Sequence, residues 1–384
     1  MSKNRNQHYV PRCYLRPFCS AKNKQAIELY NVDNDKYVPN APLKSQCSKS
    51  YFYGKDDDVE ENIQHIEGTY SSILRRILAD TYVLTESDKI FLVKFWLFQY
   101  HRTDAKARQS VALAADFAQA TGFSEEENDF DKTQAISEGL KMFADNENIM
   151  VDLKVRLLKN KTKTAFITSD DPAILSNRWY ELDARPNLYS FGGGMHSSGV
   201  VILLPLTPKI MLIGFDGDVY SIPHKNGWAS VKNESDVAAF NQHQHLNYFE
   251  NLYCVDEENY KITCSALSSA TNVKKQYKYA REYMVEEAAN PGARLVAVLD
   301  GEVRYVEATE EIAKQCGSAM IRNRRVRCKL DRWPLILKFR KKGTVYSSGT
   351  YSGYYRRHHA YLEMSRNPYK EFVVENSAIQ TKSV

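Results

Sequence analysis

The run Phe91 to Phe98, FLVKFWLF, is apolar around most of a helical circumference. A helix of that kind has no face to offer to water, so the rest of the chain must cover it on most sides. The segment therefore predicts a central buried helix with other elements packed around it. It does not predict a membrane span. The apolar stretch from Ile90 to Tyr100 is interrupted by Lys94 and stops at His101 and Arg102, too short to cross a bilayer. The helix is predicted to start after Thr85, with Asp88 in the capping-box position, and to run through HRTDAKARQ to Ala120. Before it, Val59, Ile63, Ile66, Tyr70 and Leu74 share one face, which predicts a helix from near Asp58. After it come Gly122 and the acidic run SEEENDFD. Thr133 to Lys159 is then predicted helical, with Ile136, Leu140 and Phe143 on one stripe.

Strand signals flank these helices. AIELYNVDNDKYVPN reads as a hairpin, Ala26 to Val32 and Lys36 to Val38, around an Asn-Asp turn. TAFITSDDPAIL reads as a strand ending in a polar turn. GVVILLPLTPKIMLIGFDGD reads as two strands joined at PLTP, the first apolar on both faces as in a covered strand. Asp236 to Leu252 and Asn272 to Ala289 are predicted helices. Arg294 to Leu299, Val303 to Val306 and RWPLILKF are predicted strands. The fold class is therefore α+β: a mixed sheet with a central buried helix, flanking helices and a basic C-terminal extension. At roughly 100–200 residues per domain, 384 residues suggest a domain over 1–255 and an extension over 256–384.

Charge sets the extension apart. Twelve Lys or Arg and one acid, Asp331, fall between Ile321 and Tyr361, so that segment carries +11. The chain as a whole is +5, which leaves −6 for everything else. An acidic body with a basic tail points toward a polyanionic partner. Arg324, Arg325 and Arg327 lead the run, and Tyr346, Tyr351, Tyr354 and Tyr355 follow it. Cations would neutralise phosphates and tyrosines would stack on unpaired bases. The plainer alternative is a solvated face, or contact with the acidic body of a sister subunit in a homo-oligomer. The seven cysteines are odd in number and none is spaced CxxC. That argues against a disulfide framework or structural zinc site and for the cytoplasm. The polar N-terminus has no apolar signal core.

Four polar clusters could carry chemistry. Gln7, His8 and Arg12 are packed into QHYVPR, where Pro11 pushes Val10 toward an extended form. Glu60 and Glu67 lie two helical turns apart at the edge of the apolar stripe, half-buried, with His65 on the solvated side. Arg102 falls in the middle of the Phe91/Phe95/Phe98 face, where an arginine needs a partner: Glu60, Glu67 or an anionic substrate group. Ser169, Asp170 and Asp171 end a strand, placed to ligate a metal or act as a base, or simply to form a turn. Gly192 to Gly194 lacks phosphate-loop spacing. His243 and His245 are two apart in a helix and do not form a metal pair.

In order along the chain these are QHYVPRCYLRPF, a Tyr-Phe-Tyr strand, E-x2-I-x2-IE, the Arg102-Thr103 helix, FITSDDPAIL, PLTPKI and a helix with Asn241. That series resembles the bacterial domain-of-unknown-function family 4238 over about residues 5–255. The resemblance implies that Gln7, His8, Arg12, Glu60, Glu67, Arg102, Ser169, Asp170 and Asn241 occupy the family's polar positions; Asp171 departs from its pattern. It also implies an accessory bacterial protein, some relatives belonging to mobile or phage-defence contexts. The enzyme expectation is a nuclease or phosphodiesterase. His8, Arg12, Glu60, Glu67, Arg102 and Asp170 would be catalytic, and Gln7, Ser169, Asn241, Arg324, Arg325 and Arg327 would bind substrate. Mg²⁺ or Mn²⁺ on the carboxylates would activate water, or His8 would act alone as acid or base. The competing expectation is a non-enzymatic nucleic-acid or protein-binding module in which the clusters form a structural buried network.

Overall fold

A computed structural model describes residues 6–19, 24–79, 81–121, 130–178, 194–195, 199–265, 294–299, 302–307 and 332–340. The helix expected from FLVKFWLF is α3 (Glu86–His101). Leu92, Phe95, Trp96 and Leu97 are all fully buried in it. Thr85 caps its start, the hydroxyl accepting from the Asp88 N–H at 3.2 Å. On one side α3 meets α2 (Asp57–Ile77), where Tyr70 and Phe95 stack with ring centroids 3.9 Å apart. On the other, Trp96 Nε1 donates to the Leu203 carbonyl at 3.1 Å, pinning the helix to a sheet.

That sheet has five strands: β5 (Lys154–Asn160), β7 (Ile174–Ser176), β8 (Val201–Thr207), β9 (Ile210–Phe215) and β11 (Trp228–Val231), in the order β11-β5-β9-β8-β7. Every residue of β8 and β9 is buried. The period-2 alternation explains why. Ile202, Leu204, Leu206 and Leu212 join the core around α2 and α3. Val201, Leu203, Met211 and Ile213 join a second core with Val237 and Phe240 of α6 (Glu234–Asn247). Helices cover both faces, so neither face needs polar residues.

A second sheet orders β3 (Lys36–Pro42), β2 (Ala26–Asn31), β12 (Asn251–Cys254) and β6 (Thr168–Ser169) side by side. A short ribbon pairs β1 (Asn6–His8) with β4 (Ser48–Ser50), Gln7 opposite Lys49 and His8 opposite Ser48. Arg12–Leu15 forms a single turn, α1. The remaining helices are α4 (Asp104–Thr121), α5 (Lys132–Asp145) and α7 (Glu257–Ser265). β13 (Arg294–Leu299) pairs with β14 (Glu302–Glu307). Among the described residues no helix is long and apolar enough to cross a membrane.

Several boundaries differ from expectation. The long helix does not run unbroken to Ala120. It breaks at Arg102 (φ −95, ψ −1), and Thr103 restarts it by accepting from the Lys106 N–H at 3.3 Å. The helix expected to reach Lys159 ends at Asp145, and KVRLLKN is β5, whose alternating burial marks a strand. Tyr-Phe-Tyr is a turn rather than a strand, with Tyr51 left-handed at φ 51. The helix expected to reach Leu252 stops at Asn247, and Leu252 lies in β12. FITSDDPAIL divides between two sheets, as β6 and β7.

In RWPLILKF only Lys338 and Phe339 form a strand, β15, paired with β10 (Tyr220–Ser221). The segment is nonetheless part of the body. Leu337 is 1% exposed within the second core, the Leu335 N–H donates to Asp236 at 2.8 Å, and Trp333 meets the His243 ring edge-on. Asn272 to Ala289, Arg324, Arg325, Arg327 and Tyr346 to Tyr355 lie outside the described residues.

Candidate functional site

Arg102 is the hub of the first cluster. As the residue ending α3 it turns inward from the apolar face, with its side chain wholly buried. Its Nε donates to Tyr53 Oη at 2.7 Å. Its Nη2 donates both to the His8 carbonyl at 2.6 Å and to Glu67 Oε1 at 2.9 Å. Nη1 makes no hydrogen bond, but the Phe98 ring lies 4.4 Å from the guanidinium carbon. Burial alone would discourage the charge; Tyr53 and Glu67 outweigh it and hold the guanidinium pKa above its ordinary value. One side chain thus ties α2, α3, the β1 strand and the turn after β4 together. Gln7 adds to the clamp, accepting from the Tyr53 N–H at 2.7 Å and donating to the Gly54 carbonyl at 3.1 Å.

His8 is displayed by this scaffold. Its backbone is held by Arg102 and Tyr53, and its Nδ1 lies 3.0 Å from the Gln46 carbonyl. A carbonyl only accepts, so Nδ1 carries the proton and Nε2 carries the lone pair. Nε2 has no protein partner among the described residues. The imidazole pKa is lowered from its ordinary value. Burial is the main cause, opposed by the Gln46 bond, then helped by the charges of Arg12 and Arg102 and opposed by Glu60. Arg12 is exposed beside it, and Glu60 and Glu67 are both half-buried, with His65 exposed. Cys13 lies under the cluster, its thiol 3.8 Å from the Glu67 carbonyl. Burial, then Glu67, pushes that thiol up to about 12, so it is not a nucleophile at neutral pH.

The remaining candidates belong to a different network. Asp170 is buried beneath β12. Its carboxylate accepts from the N–H groups of Phe249 and Glu250 at 2.8 Å and Asn251 at 3.0 Å. Burial pushes its pKa up to about 6 against the pull of those three bonds. Ser169 Oγ donates to Gln244 Oε1 at 2.7 Å. Asn241 accepts from the Ile167 N–H at 3.0 Å and donates to the Ala165 carbonyl at 2.9 Å. These three tie α6, β6 and β12 to one another, and no hydrogen bond joins them to His8 or Arg102. Asp171, completely buried, accepts from Thr103 Oγ1 at 2.9 Å and meets Lys106 at 3.3 Å. His8, Glu67 and Arg102 thus share one hydrogen-bond network, with Arg12 and Glu60 near enough for their charges to act on His8, whereas Asp170, Ser169 and Asn241 bond within another.

Mg²⁺ or Mn²⁺ would need oxygen ligands from several carboxylates. Among the described residues no group of three or more His, Cys, Asp or Glu converges as a ligand set. Asp170 is turned to backbone amides and Glu67 to Arg102. An open groove of about 810 Å³ between α2 and the start of α3, lined by His65, Arg75, Arg76 and Phe91, contains none of the candidates.

Tyr53, Gln46 and Thr103 are participants that sequence reasoning missed. Gln46 acts through its carbonyl, which no side-chain pattern reports. Tyr53 was legible only as an aromatic in a supposed strand. Thr103 followed by Asp104 carried a helix-start signal that was hidden because the helix reads as continuous.

The family model described as "Protein of unknown function (DUF4238)" matches residues 6–257. The chain belongs to that family. No curated protein and no solved structure matches it. The matched region ends inside α7, before the 332–340 segment that completes the second core.

Proposed function

We propose that this member of the DUF4238 family is a metal-independent phosphodiesterase acting on nucleic acid, with His8 as its acid–base group. One observation carries the reading: His8 holds its Nδ1 proton on the Gln46 carbonyl and leaves Nε2 open. A neutral imidazole with a fixed tautomer is ready to take a proton from an attacking hydroxyl at pH 7 as the new P–O bond forms, and to give that proton to the leaving oxygen as the old P–O bond breaks. Arg12 would receive the non-bridging phosphate oxygens, and Glu60 would stabilise the imidazolium that forms. Arg102 and Glu67 would act as positioning residues, setting the backbone from which His8 projects. Asp170, Ser169 and Asn241 serve the fold in this reading. Nucleic-acid cleavage would suit a role in antiviral defence.

A non-enzymatic binding module is favoured by a separate observation. Arg102 is wholly buried, and its Nε and Nη2 are spent on Tyr53, the His8 carbonyl and Glu67, as a structural clamp would be.

A cleavage assay on RNA and DNA in excess EDTA separates the two. Cleavage should persist in EDTA, and His8→Ala should lower its rate by about 10²–10⁴ without shifting the melting temperature. Arg12→Ala should chiefly raise KM. Full activity in a folded His8→Ala variant, or complete loss on adding EDTA, would overturn the phosphodiesterase reading. No cleavage under any condition would favour the binding module.

A further inference from the structure

The Gln46 carbonyl that holds the His8 ring is itself set by unusual backbone. Among the described residues five non-glycines have positive φ. Asp35, Asn40 and Asn226 are of the types that visit the left-handed region readily. Cys47 (φ 49) and Tyr51 (φ 51) are not, and they stand immediately before and after β4. Rotation about the Cys47 backbone fixes the direction of the Gln46 carbonyl against that of the Cys47 carbonyl. The Cys47 carbonyl continues the pairing of the ribbon and accepts from the Tyr9 N–H at 2.9 Å. The Gln46 carbonyl, one residue earlier, lies 3.0 Å from His8 Nδ1. The left-handed turn thus gives adjacent carbonyls to the backbone of residue 9 and the side chain of residue 8.

The side chain of Cys47 is what holds that turn. A glycine adopts it readily, whereas a cysteine there needs surrounding contacts to compensate. The thiol is buried, and its Sγ lies 3.2 Å from Tyr253 Oη. Burial pushes the thiol pKa well above its ordinary value, so the sulfur keeps its proton. Tyr253 Oη in turn lies 3.4 Å from Gln46 Oε1. An amide oxygen only accepts, so the phenol donates to Gln46 and its oxygen accepts from the thiol. The Gln46 amide nitrogen donates to the Pro42 carbonyl at 3.2 Å and to Ser45 Oγ at 3.3 Å. Residues 46 and 47 are therefore both fastened to one phenol. Tyr253 is fully buried in β12, which pairs with β2 on one side and β6 on the other. The N–H of Asn251, where β12 begins, donates to Asp170 at 3.0 Å. The second sheet thus reaches the His8 ring through Tyr253 and the Gln46 carbonyl.

We propose that Cys47 and Tyr253 are positioning residues for His8, acting through the Gln46 carbonyl to keep the ring proton on Nδ1 and the Nε2 lone pair open. Arg102 and Tyr53 hold the His8 backbone; Cys47 and Tyr253 hold the acceptor that selects the tautomer. Which ring nitrogen carries the proton follows from the bond that the other makes. With the carbonyl loosened, both tautomers are open to the ring. In the wrong one Nε2 bears the proton and has no lone pair to act as a base. The charges that act on the imidazole, Arg12, Arg102 and Glu60, stay in place whichever of the two residues is changed. The catalytic consequence rests on the phosphodiesterase reading; the effect on the ring does not.

Long-range proton–nitrogen correlation spectra of the full chain at pH 7 read the tautomer directly, with His8→Ala assigning the ring signals. In the parent, His8 should show a protonated Nδ1 and an unprotonated Nε2. Tyr253→Phe and Cys47→Gly should move both nitrogens toward averaged shifts, the sign of exchange between tautomers. Glycine keeps the left-handed backbone accessible, so Cys47→Gly should fold even if the loss of the phenol hydroxyl proves disruptive. Cys47→Ser still offers the phenol a donor and should restore the parental pattern. A purely structural role would lower the melting temperature and leave the ring shifts alone. On the phosphodiesterase reading, a ring divided between tautomers lowers kcat by about two- to tenfold with KM unchanged. Parental ring shifts in folded Tyr253→Phe and Cys47→Gly would overturn the proposal, and if His8→Ala still abolishes cleavage the catalytic reading stands without it. An Nε2-protonated ring in the parent would overturn both. Averaged shifts in the variants together with full cleavage by His8→Ala would sink the catalytic reading alone.

Discussion

Removing the Arg102 guanidinium should cost more than any other single change in the first cluster. Arg102→Met keeps the apolar stem against Phe98 but deletes three hydrogen bonds, to Tyr53, the His8 carbonyl and Glu67. Bonds from a charged donor contribute ~1.5–3 kcal/mol each, and stranding the partner of a buried pair costs ~3–5 kcal/mol. Glu67 is 24% exposed and recovers part of its hydration, and methionine regains some apolar burial. The net loss expected is therefore about 3–5 kcal/mol, a large part of a typical ~5–15 kcal/mol stability. Glu67→Gln should cost about 1–2 kcal/mol, since the amide oxygen still accepts one bond. A double-mutant cycle should give a coupling of about 1–2 kcal/mol. Arg102→Lys should fall between, because an ammonium cannot reach both the Nε and Nη2 partners at once. Urea unfolding at pH 7, followed by far-ultraviolet circular dichroism, measures all four. A loss below about 1 kcal/mol for Arg102→Met would show that the clamp does not hold β1.

Two buried groups should titrate with opposite effect on stability. The Asp170 pKa is raised to about 6 in the fold, so the native state binds its proton more tightly than the unfolded chain. Its contribution is complete below pH ~4 and is lost as pH rises to ~6, about 3 kcal/mol in all. Asp170→Asn removes that slope and, by facing an amide donor at the Phe249–Asn251 N–H groups, costs about 1–3 kcal/mol at pH 7; a variant with the parental pH slope would refute this. Burial lowers His243 to about 4, although its bond to the Ala239 carbonyl raises it. Its contribution is complete above pH ~6.5 and is lost as pH falls to ~4, again about 3 kcal/mol, and His243→Phe should flatten that acid limb. An acid limb unchanged in the variant would mean that the ring titrates normally. Leu337→Ala should cost about 2–4 kcal/mol in global unfolding, because Leu337 is 1% exposed in the second core. An unchanged midpoint would mean that the 332–340 segment is only laid on the surface.

The parts of the fold legible in the sequence were those with strong periodicity or uniform burial. FLVKFWLF gave α3 because a helix apolar all round has one solution, and VILLPLT gave β8 because a seven-residue apolar strand needs cover on both faces. Failures cluster where a tertiary partner overrides a local pattern. The helix expected over Thr133–Lys159 rested on the Ile136, Leu140 and Phe143 stripe, which says nothing of where it stops, and pairing with β9 and β11 draws Lys154–Asn160 into a strand. Leu252 was assigned to a helix because nothing local reveals that the Asp170 carboxylate gathers the N–H groups of 249–251 and aims the chain into β12. The half-buried positions of Glu60 and Glu67 followed from their place on the stripe, and so did the solvated His65. Which of the two would pair with Arg102 did not follow, since helix periodicity cannot say where a neighbouring helix ends.

The break at Arg102 and Thr103 is where those non-local choices meet. Had the helix continued, Arg102 and Thr103 would lie about 100° apart on one surface and serve the same neighbours. Instead the kink sends adjacent side chains to separate networks: Arg102 to the ribbon and α2, Thr103 to Asp171 beside the second sheet. Asp104 follows at once and gathers Lys49 from the same ribbon. The ribbon that carries His8 is therefore held at both sides of one two-residue interruption, by the buried arginine that opens it and by the ion cluster at Asp104 that follows it. A substitution that restores helix across 102–103 should accordingly loosen β1 and part Lys49 from Asp104 together.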